Sequence, residues 1–487
     1  MEKSSKMKKS IIKNYIYNLT YQILILVLPL LTTPYVSRVL GAENVGIYSY
    51  TASIVSYFVL FGSLGISMYG QREIAYARDN IKKRTKIFIE INLIKIVTMT
   101  IATIAFIFSF GIGQQYSIYY RILILELIAN TLDISWFFQG LEEFKKTITR
   151  NTIVKLISVI FIFVFIKNPS DLWLYILIYA LSNLLGNISL WMYLPKYLTS
   201  VNIKSLKVKE HILPILGLFI PQIAMQVYLV LDKTMLGSIL NDMIQVGNYE
   251  QSQKIVKTAL TLVTALGTVV APRIANIISN GNKKEVDKYL ENSFRFVWLL
   301  GFPMMMGLIA ISDTVVPWFL GGGYEESKML IKIGAMLIMA IGLNNVSGIQ
   351  YLIPAKKQKI YTKSVIIGAA ANFFMNLIFI PKFKAGGAIL SSVIAEFLIL
   401  YVQLLGVKED LNMSIVIKNS WKYIISSLIM FIPTYYIGQY MNATIATTLI
   451  QVIVAIIIYG SMLLLSKDNF VIGIMKQVKN KIQGKKV

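Results

Sequence analysis

Cysteine is absent from all 487 residues, which excludes disulfides, thiolate metal sites and a cysteine nucleophile. The one histidine, His211, falls at the mouth of an apolar segment and reads as an interfacial residue rather than a general base. No Walker glycine loop, HExxH or GxSxG pattern occurs. Gly321-Gly322-Gly323 reads as a flexible connection, not a phosphate cradle. Without an ATPase module, any transport must draw on an ion gradient or on the substrate's own gradient. Acidic residues are scarce, 24 against 48 Lys and Arg, and no polar stretch is long enough for a soluble domain. A membrane enzyme acting on sugars or lipids would need a sizeable aqueous loop or a carboxylate cluster, and neither is evident.

Apolar residues supply what is plentiful. They make up 56% of the chain, and mean hydropathy is +0.63. Runs of about 20 residues, enough to cross a hydrocarbon core about 30 Å thick, recur almost to the end. About fourteen can be placed, centred near Leu26, Val55, Thr100, Leu127, Val159, Leu181, Gln222, Leu262, Met305, Leu337, Ala370, Val393, Ile429 and Val454. Their length, and the lack of strict alternation, predict helices rather than a barrel. The expected class is an all-α integral membrane protein. The first run is too long for a signal-peptide core and no small-residue cleavage site follows it, so a retained helix is expected.

The basic residues gather in every second gap. The start carries Lys3, Lys6, Lys8, Lys9 and Lys13; later clusters include Arg72 to Lys86, Lys145-Lys146 with Arg150, Lys283-Lys284, and Lys356-Lys357-Lys359. The tail adds Lys476, Lys479, Lys481, Lys485 and Lys486. Intervening gaps such as Gly111 to Ser117 and Met441 to Thr444 carry no charge. This positive-inside pattern predicts a bacterial cytoplasmic-membrane protein with both termini cytoplasmic. Orientation and attraction to anionic headgroups account for most of the charge, so nucleic acid is not a needed partner.

Two words recur about 200 residues apart. Leu40-Gly41 and Val45-Gly46-Ile47-Tyr48 match Leu236-Gly237 and Val246-Gly247-Asn248-Tyr249, with a slightly longer second turn. Six helices separate the copies, which predicts two lobes of like orientation. Helices 1–6 would form an N-terminal lobe over 1–210 and helices 7–12 a C-terminal lobe over 211–410. Helices 13–14 and a basic tail follow over 411–487.

A few cations are left within or near the spans: Arg38, Lys95, Lys155, Lys233, Lys254 and Lys257. A charge at the bilayer centre costs about 2.5–3.5 kcal/mol on insertion scales, so such residues face a cavity or a partner. Glu250, Lys254, Lys257, Thr261, Thr264 and Thr268 step by four and three along one helix face. Gln222, Gln226 and Lys233 do so beside Asp232; Asn14, Asn18 and Gln22 form another stripe, as do Glu126, Asn130 and Asp133, and Asn151, Lys155 and Ser158. Uncharged stripes serve equally well as interhelical hydrogen-bond glue. The cations suit an anionic substrate such as a phosphate group. An exporter of cationic drugs would need the opposite sign, and the first segment has no Asp or Glu.

Four stretches carry a family resemblance: Ser37-Arg38-Val39-Leu40-Gly41 to Gly46-Ile47-Tyr48; Trp136 to Glu142; Asp232 to Gly237; and Pro354 to Lys357 through Asn372, Asn376, Pro381 and Gly386-Gly387-Ala388. In these the chain resembles, over nearly its whole length, the Wzx-type polysaccharide flippases of the multidrug/oligosaccharidyl-lipid/polysaccharide exporter superfamily. The resemblance implies a MATE-like V-shaped bundle of two six-helix lobes plus two C-terminal helices. It implies flipping of undecaprenyl-diphosphate-linked oligosaccharide repeat units, with the cations on the diphosphate. Membrane lipids, a polysaccharide polymerase and glycosyltransferases are the partners it implies. No cofactor is expected. A coupling ion, H+ or Na+, would involve Asp232, Asn372 and Asn376, although two asparagines stand where an acid is expected, and Asp232 could equally be a simple ion-pair partner. The rival readings are a peptidoglycan lipid-precursor flippase, a cation-coupled multidrug exporter and a membrane glycosyltransferase.

Overall fold

The computed structural model describes the chain from residue 2 to 475 except residues 114, 410, 419 and 474, and omits the side chains of 2–26, 220, 221, 224, 225, 227, 268 and 269. Asn14, Asn18, Gln22, Thr268, the amino-terminal lysines and the tail from Lys476 onward therefore lie outside the described side chains. Among the described residues there is no β-strand. Eleven segments among the described residues are long and apolar enough to span a membrane, which makes this an all-α multi-pass membrane protein. Every expected segment centre falls in a helix.

Sixteen α-helices occur among the described residues: α1 (Glu2–Ser63), α2 (Ile66–Tyr76), α3 (Ile81–Phe110), α4 (Ser117–Thr131), α5 (Ser135–Gly140), α6 (Phe144–Phe165), α7 (Leu172–Trp191) and α8 (Lys209–Leu240) are the first eight. Then come α9 (Met243–Ser279), α10 (Lys283–Phe319), α11 (Glu325–Gly334), α12 (Met336–Asn344), a π-helix (Asn345–Leu352), α13 (Gln358–Val407), α14 (Ser414–Ile417), α15 (Ser420–Tyr440) and α16 (Ile445–Leu465). Two of them hold two apolar segments each. Helix α1 breaks at Gly41, with φ 77° and ψ 170°, and α13 breaks at Lys384, with φ 52° and ψ −133°. The halves of α13 fold back on each other, since Asn372 Nδ2 donates to Ser392 Oγ at 3.2 Å.

The chain divides into two compact units, residues 1–247 and 248–487. In the first, the core gathers around Trp136, Phe137 and Phe138 of α5, all fully buried against Phe88, Ile91 and Ile74. That aromatic triplet is one of the family-like stretches, and here it is packing. Helix α8 lies against α1, α2 and α3 in this unit. Glu90, also buried, ties the start of α8 down: Oε2 meets His211 Nε2 at 2.9 Å, and Oε1 accepts the Lys207 backbone N–H. His211 Nδ1 pairs with the Tyr69 hydroxyl at 2.7 Å, so the histidine is a structural bridge. The adjoining Lys207–Glu210 pair, at 2.7 Å, raises the Lys207 ammonium above its ordinary pKa through that hydrogen bond.

In the second unit α9, α10, α12, the π-helix and α13 share one apolar core. Helices α15 and α16 pack on α10 through polar pins within the apolar surface. Gln451 Oε1 accepts from Thr314 at 2.6 Å, Trp318 Nε1 donates to Thr448 at 2.7 Å, and Tyr459 donates to the Leu299 carbonyl at 2.8 Å. Such bonds hold apolar helices in register where hydrophobic burial between them gives little direction.

Candidate functional site

The first unit contains a cavity of about 610 Å³ between α1, α2, α4, α7 and α8. Its apolar wall includes Val55, Val59, Leu60 and Ile176. Its polar groups are Glu126, Asn130, Asn183, Gln222 and Gln226, with Tyr48, Tyr179 and three serines. Helical spacing explains the convergence: Glu126 and Asn130 are one turn apart on α4, and Gln222 and Gln226 one turn apart on α8.

Glu126 is the centre of this constellation. Its carboxylate accepts from Asn183 Nδ2 at 3.0 and 3.3 Å and from Asn130 Nδ2 at 3.3 Å. Asn130 also donates to the Glu126 carbonyl at 2.9 Å, which fixes its amide. Two amides thus solvate a carboxylate that burial would otherwise penalise. The rings of Tyr48 and Tyr179 stack with centroids 6.1 Å apart, forming an aromatic wall. Amides and hydroxyls can both donate and accept, so the cavity can match a ligand rich in hydroxyl groups.

The structure thus brings together Asn130, Gln222 and Gln226 from the expected site residues, with Glu126 of the same α4 stripe, whereas Asp133 and Glu250 are not among the lining residues. None of the six expected cations is among the residues lining this cavity. Arg38 is exposed on α1, three residues before the Gly41 break. Lys95 is 2% exposed and donates to the Asp133 carbonyl at 2.6 Å, an exchange of water for a main-chain acceptor. Asp133 Oδ1 accepts the Ser135 N–H at 2.9 Å at the entry to α5. Lys155 on α6 and Lys233 on α8 are half-buried, and Asp232 beside Lys233 is buried.

In the second unit the α9 stripe is an ion pair followed by back-bonded threonines. Lys254 lies 3.6 Å from Glu250, Lys257 is exposed, Thr261 donates to the Lys257 carbonyl and Thr264 to that of Leu260. Asn372 and Asn376 are both fully buried, and Asn376 Nδ2 donates to Asn372 Oδ1 at 3.2 Å. Nearby, Glu396 accepts from Asn344 at 2.7 Å, and Gln403 links Ser347 to Ser364.

Asn183 is not among the expected site residues, although it and Asn187, one turn on, form a short amide stripe on segment six. That four-residue step within the largely apolar helix Leu172–Trp191 is the signal that could have found it.

Comparison with known proteins places this arrangement in a family. The profile of the family described as "Polysaccharide biosynthesis protein" matches residues 11–278, and that of "Lipid II flippase MurJ" matches residues 157–460. A curated protein of Escherichia coli K12 named "Putative O-antigen transporter" is 25% identical over 409 residues, covering 83% of this chain and 98% of its own. Solved structures share the fold, among them the following two. An inward-facing MATE family transporter of the MOP superfamily has a TM-score of 0.62 at 12% identity, covering 81% of this chain and 97% of its own. A lipid II flippase MurJ in an inward closed conformation has a TM-score of 0.56 at 17% identity, covering 93% and 98%. The chain belongs to the polysaccharide biosynthesis protein family, and the lipid II flippase MurJ profile also matches more than half of it.

Proposed function

We propose that this protein is a transporter rather than an enzyme, and that it flips undecaprenyl-diphosphate-linked oligosaccharide repeat units across the cytoplasmic membrane for surface polysaccharide synthesis. The observation that carries the reading is the likeness to the O-antigen transporter over nearly that protein's whole length. The cavity around Glu126 supports it, because amides, hydroxyls and tyrosine rings suit a sugar head. Arg38, Lys254 and Lys257 would hold the diphosphate by charge-assisted hydrogen bonds. The prenyl tail would stay in lipid while two lobes, 1–210 and 211–410, alternate access to the cargo. Both termini would be cytoplasmic, as the basic clusters dictate. A polymerase and glycosyltransferases would act after and before the flipping step.

The MurJ likeness makes a peptidoglycan precursor the second candidate cargo. Depleting the protein separates the two. Accumulation of repeat unit on undecaprenyl diphosphate, facing the cytoplasm, with peptidoglycan synthesis continuing, supports the proposal. Cell lysis with accumulated peptidoglycan precursor would move the function to the second cargo, and unchanged precursors with altered dye efflux would reject both.

A further inference from the structure

Helices α6 and α7 enclose a second cavity, of about 490 Å³, separate from the one around Glu126. One end is basic and hydroxylated, lined by Lys145, Lys146, Thr149, Arg150, Ser189 and Tyr193. Its other end is closed by Val154 and Leu185, and those two residues also open an apolar groove of about 310 Å³. The groove continues past Ile157 and Phe161 to Phe165. From Arg150 to Phe165 the helix rises about 22 Å, more than one leaflet of a hydrocarbon core about 30 Å thick.

The basic end is built rather than incidental. Arg150 lies close to the bare backbone of Gly186, where an added Cβ would come within 2.8 Å of Val154 Cγ2 and 3.3 Å of Arg150 Cδ. Asn187 Oδ1 accepts from Arg150 Nη1 at 2.7 Å, and Asn187 in turn donates to the Ala129 carbonyl at 2.7 Å, so the guanidinium is fixed. The Lys146 ammonium sits 4.0 Å from the Tyr197 ring centroid and 5.6 Å from that of Tyr193, with Glu143 at 3.7 Å. Lys145 is exposed. Only 17% of the most apolar window of α6 is buried in the protein, so the groove opens onto the surface that lipid would cover.

We propose that this composite groove binds one anionic phospholipid of the surrounding bilayer, its phosphate on Lys145 and Arg150 and one acyl chain along Val154, Phe161 and Phe165. Basic pockets between membrane helices suit anionic headgroups, and an apolar groove running on from the cations fits the chain attached to that headgroup. The polar lining holds cations and hydroxyls but no amide or carboxylate, unlike the cavity around Glu126, so it matches a phosphate better than a glycan. The assignment does not depend on which cargo is flipped.

Native mass spectrometry of the purified full chain tests it, with phosphatidylglycerol, phosphatidylcholine of the same acyl chains, and undecaprenyl diphosphate as probes. One phosphatidylglycerol should be retained in preference to phosphatidylcholine. Lys145→Glu with Arg150→Gln should lower its retention about tenfold, the loss of one or two charge-assisted hydrogen bonds. Leu185→Trp, at a side chain already 62% exposed, should lower it with the cations intact. Equal retention of the two phospholipids, or retention unchanged in both variants, overturns the proposal. Preferential retention of undecaprenyl diphosphate overturns it too and gives the groove to the cargo.

Discussion

Gly46 and Gly247 pack reciprocally, backbone against backbone. A Cβ on Gly46 would lie 1.7 Å from the Met243 carbonyl oxygen, and one on Gly247 would lie 2.0 Å from that of Ala42. These are the glycines of the two recurring sequence words, so the repeated motif is used twice at one contact. Only glycine permits such an approach. Gly46→Ala and Gly247→Ala should each destabilise the protein by at least the 1–3 kcal/mol (roughly) of an overpacked core. Gly217→Ala, with nothing within 4 Å and inside α8, should not lower the thermal midpoint in detergent.

Glu126→Ala should lower surface polysaccharide by about tenfold, since it removes a carboxylate and its hydrogen bonds to two amides. Asn183→Ala should act in the same direction but less, because Asn130 keeps its bond to Glu126. The assay is polysaccharide output against the amount of protein in the membrane. Full output from both variants would remove the cavity from the transport path.

Arg38→Ala, Lys254→Ala and Lys257→Ala should each reduce output without reducing membrane-inserted protein. If output survives the triple substitution, the diphosphate is held elsewhere. Charge reversal at Lys254 should be worse than neutralisation, since it places a second carboxylate one turn from Glu250.

Lys384 holds φ 52° and ψ −133°, a conformation that costs a non-glycine residue about 1–3 kcal/mol. Lys384→Gly should therefore raise the thermal midpoint, and Lys384→Val should lower it. Gly41→Ala, at φ 77°, should lower it in the same way.

The helices were legible because membrane thickness dictates run length, and fourteen apolar centres all fall in helices. The Gly41 break could be read from its glycine; the Lys384 break could not, because the strained residue is itself a lysine, with Pro381 and Gly386 beside it. Stripes placed Asn130, Gln222 and Gln226 on one cavity, since a four-residue step keeps side chains on one face. Periodicity says nothing about what a face meets. Lys95 is on an apolar helix as expected, but its ammonium meets the Asp133 carbonyl, a partner set by tertiary packing. Glu90 was hidden among basic residues, and its burial follows from His211 and Lys207, more than 100 residues away.

The hairpin in α13 closes through Lys384, and that economy bears on what a protease can grip. Lys382 and Lys384 are both exposed tryptic sites, yet helix runs into the turn on either side and offers no extended stretch for a protease to grip. An inserted epitope there would have to unwind both arms. Among the described residues, the irregular segments at Gly111–Gly113, near Gly321 and between Met441 and Thr444 accommodate a tag or a nick more readily than this hairpin.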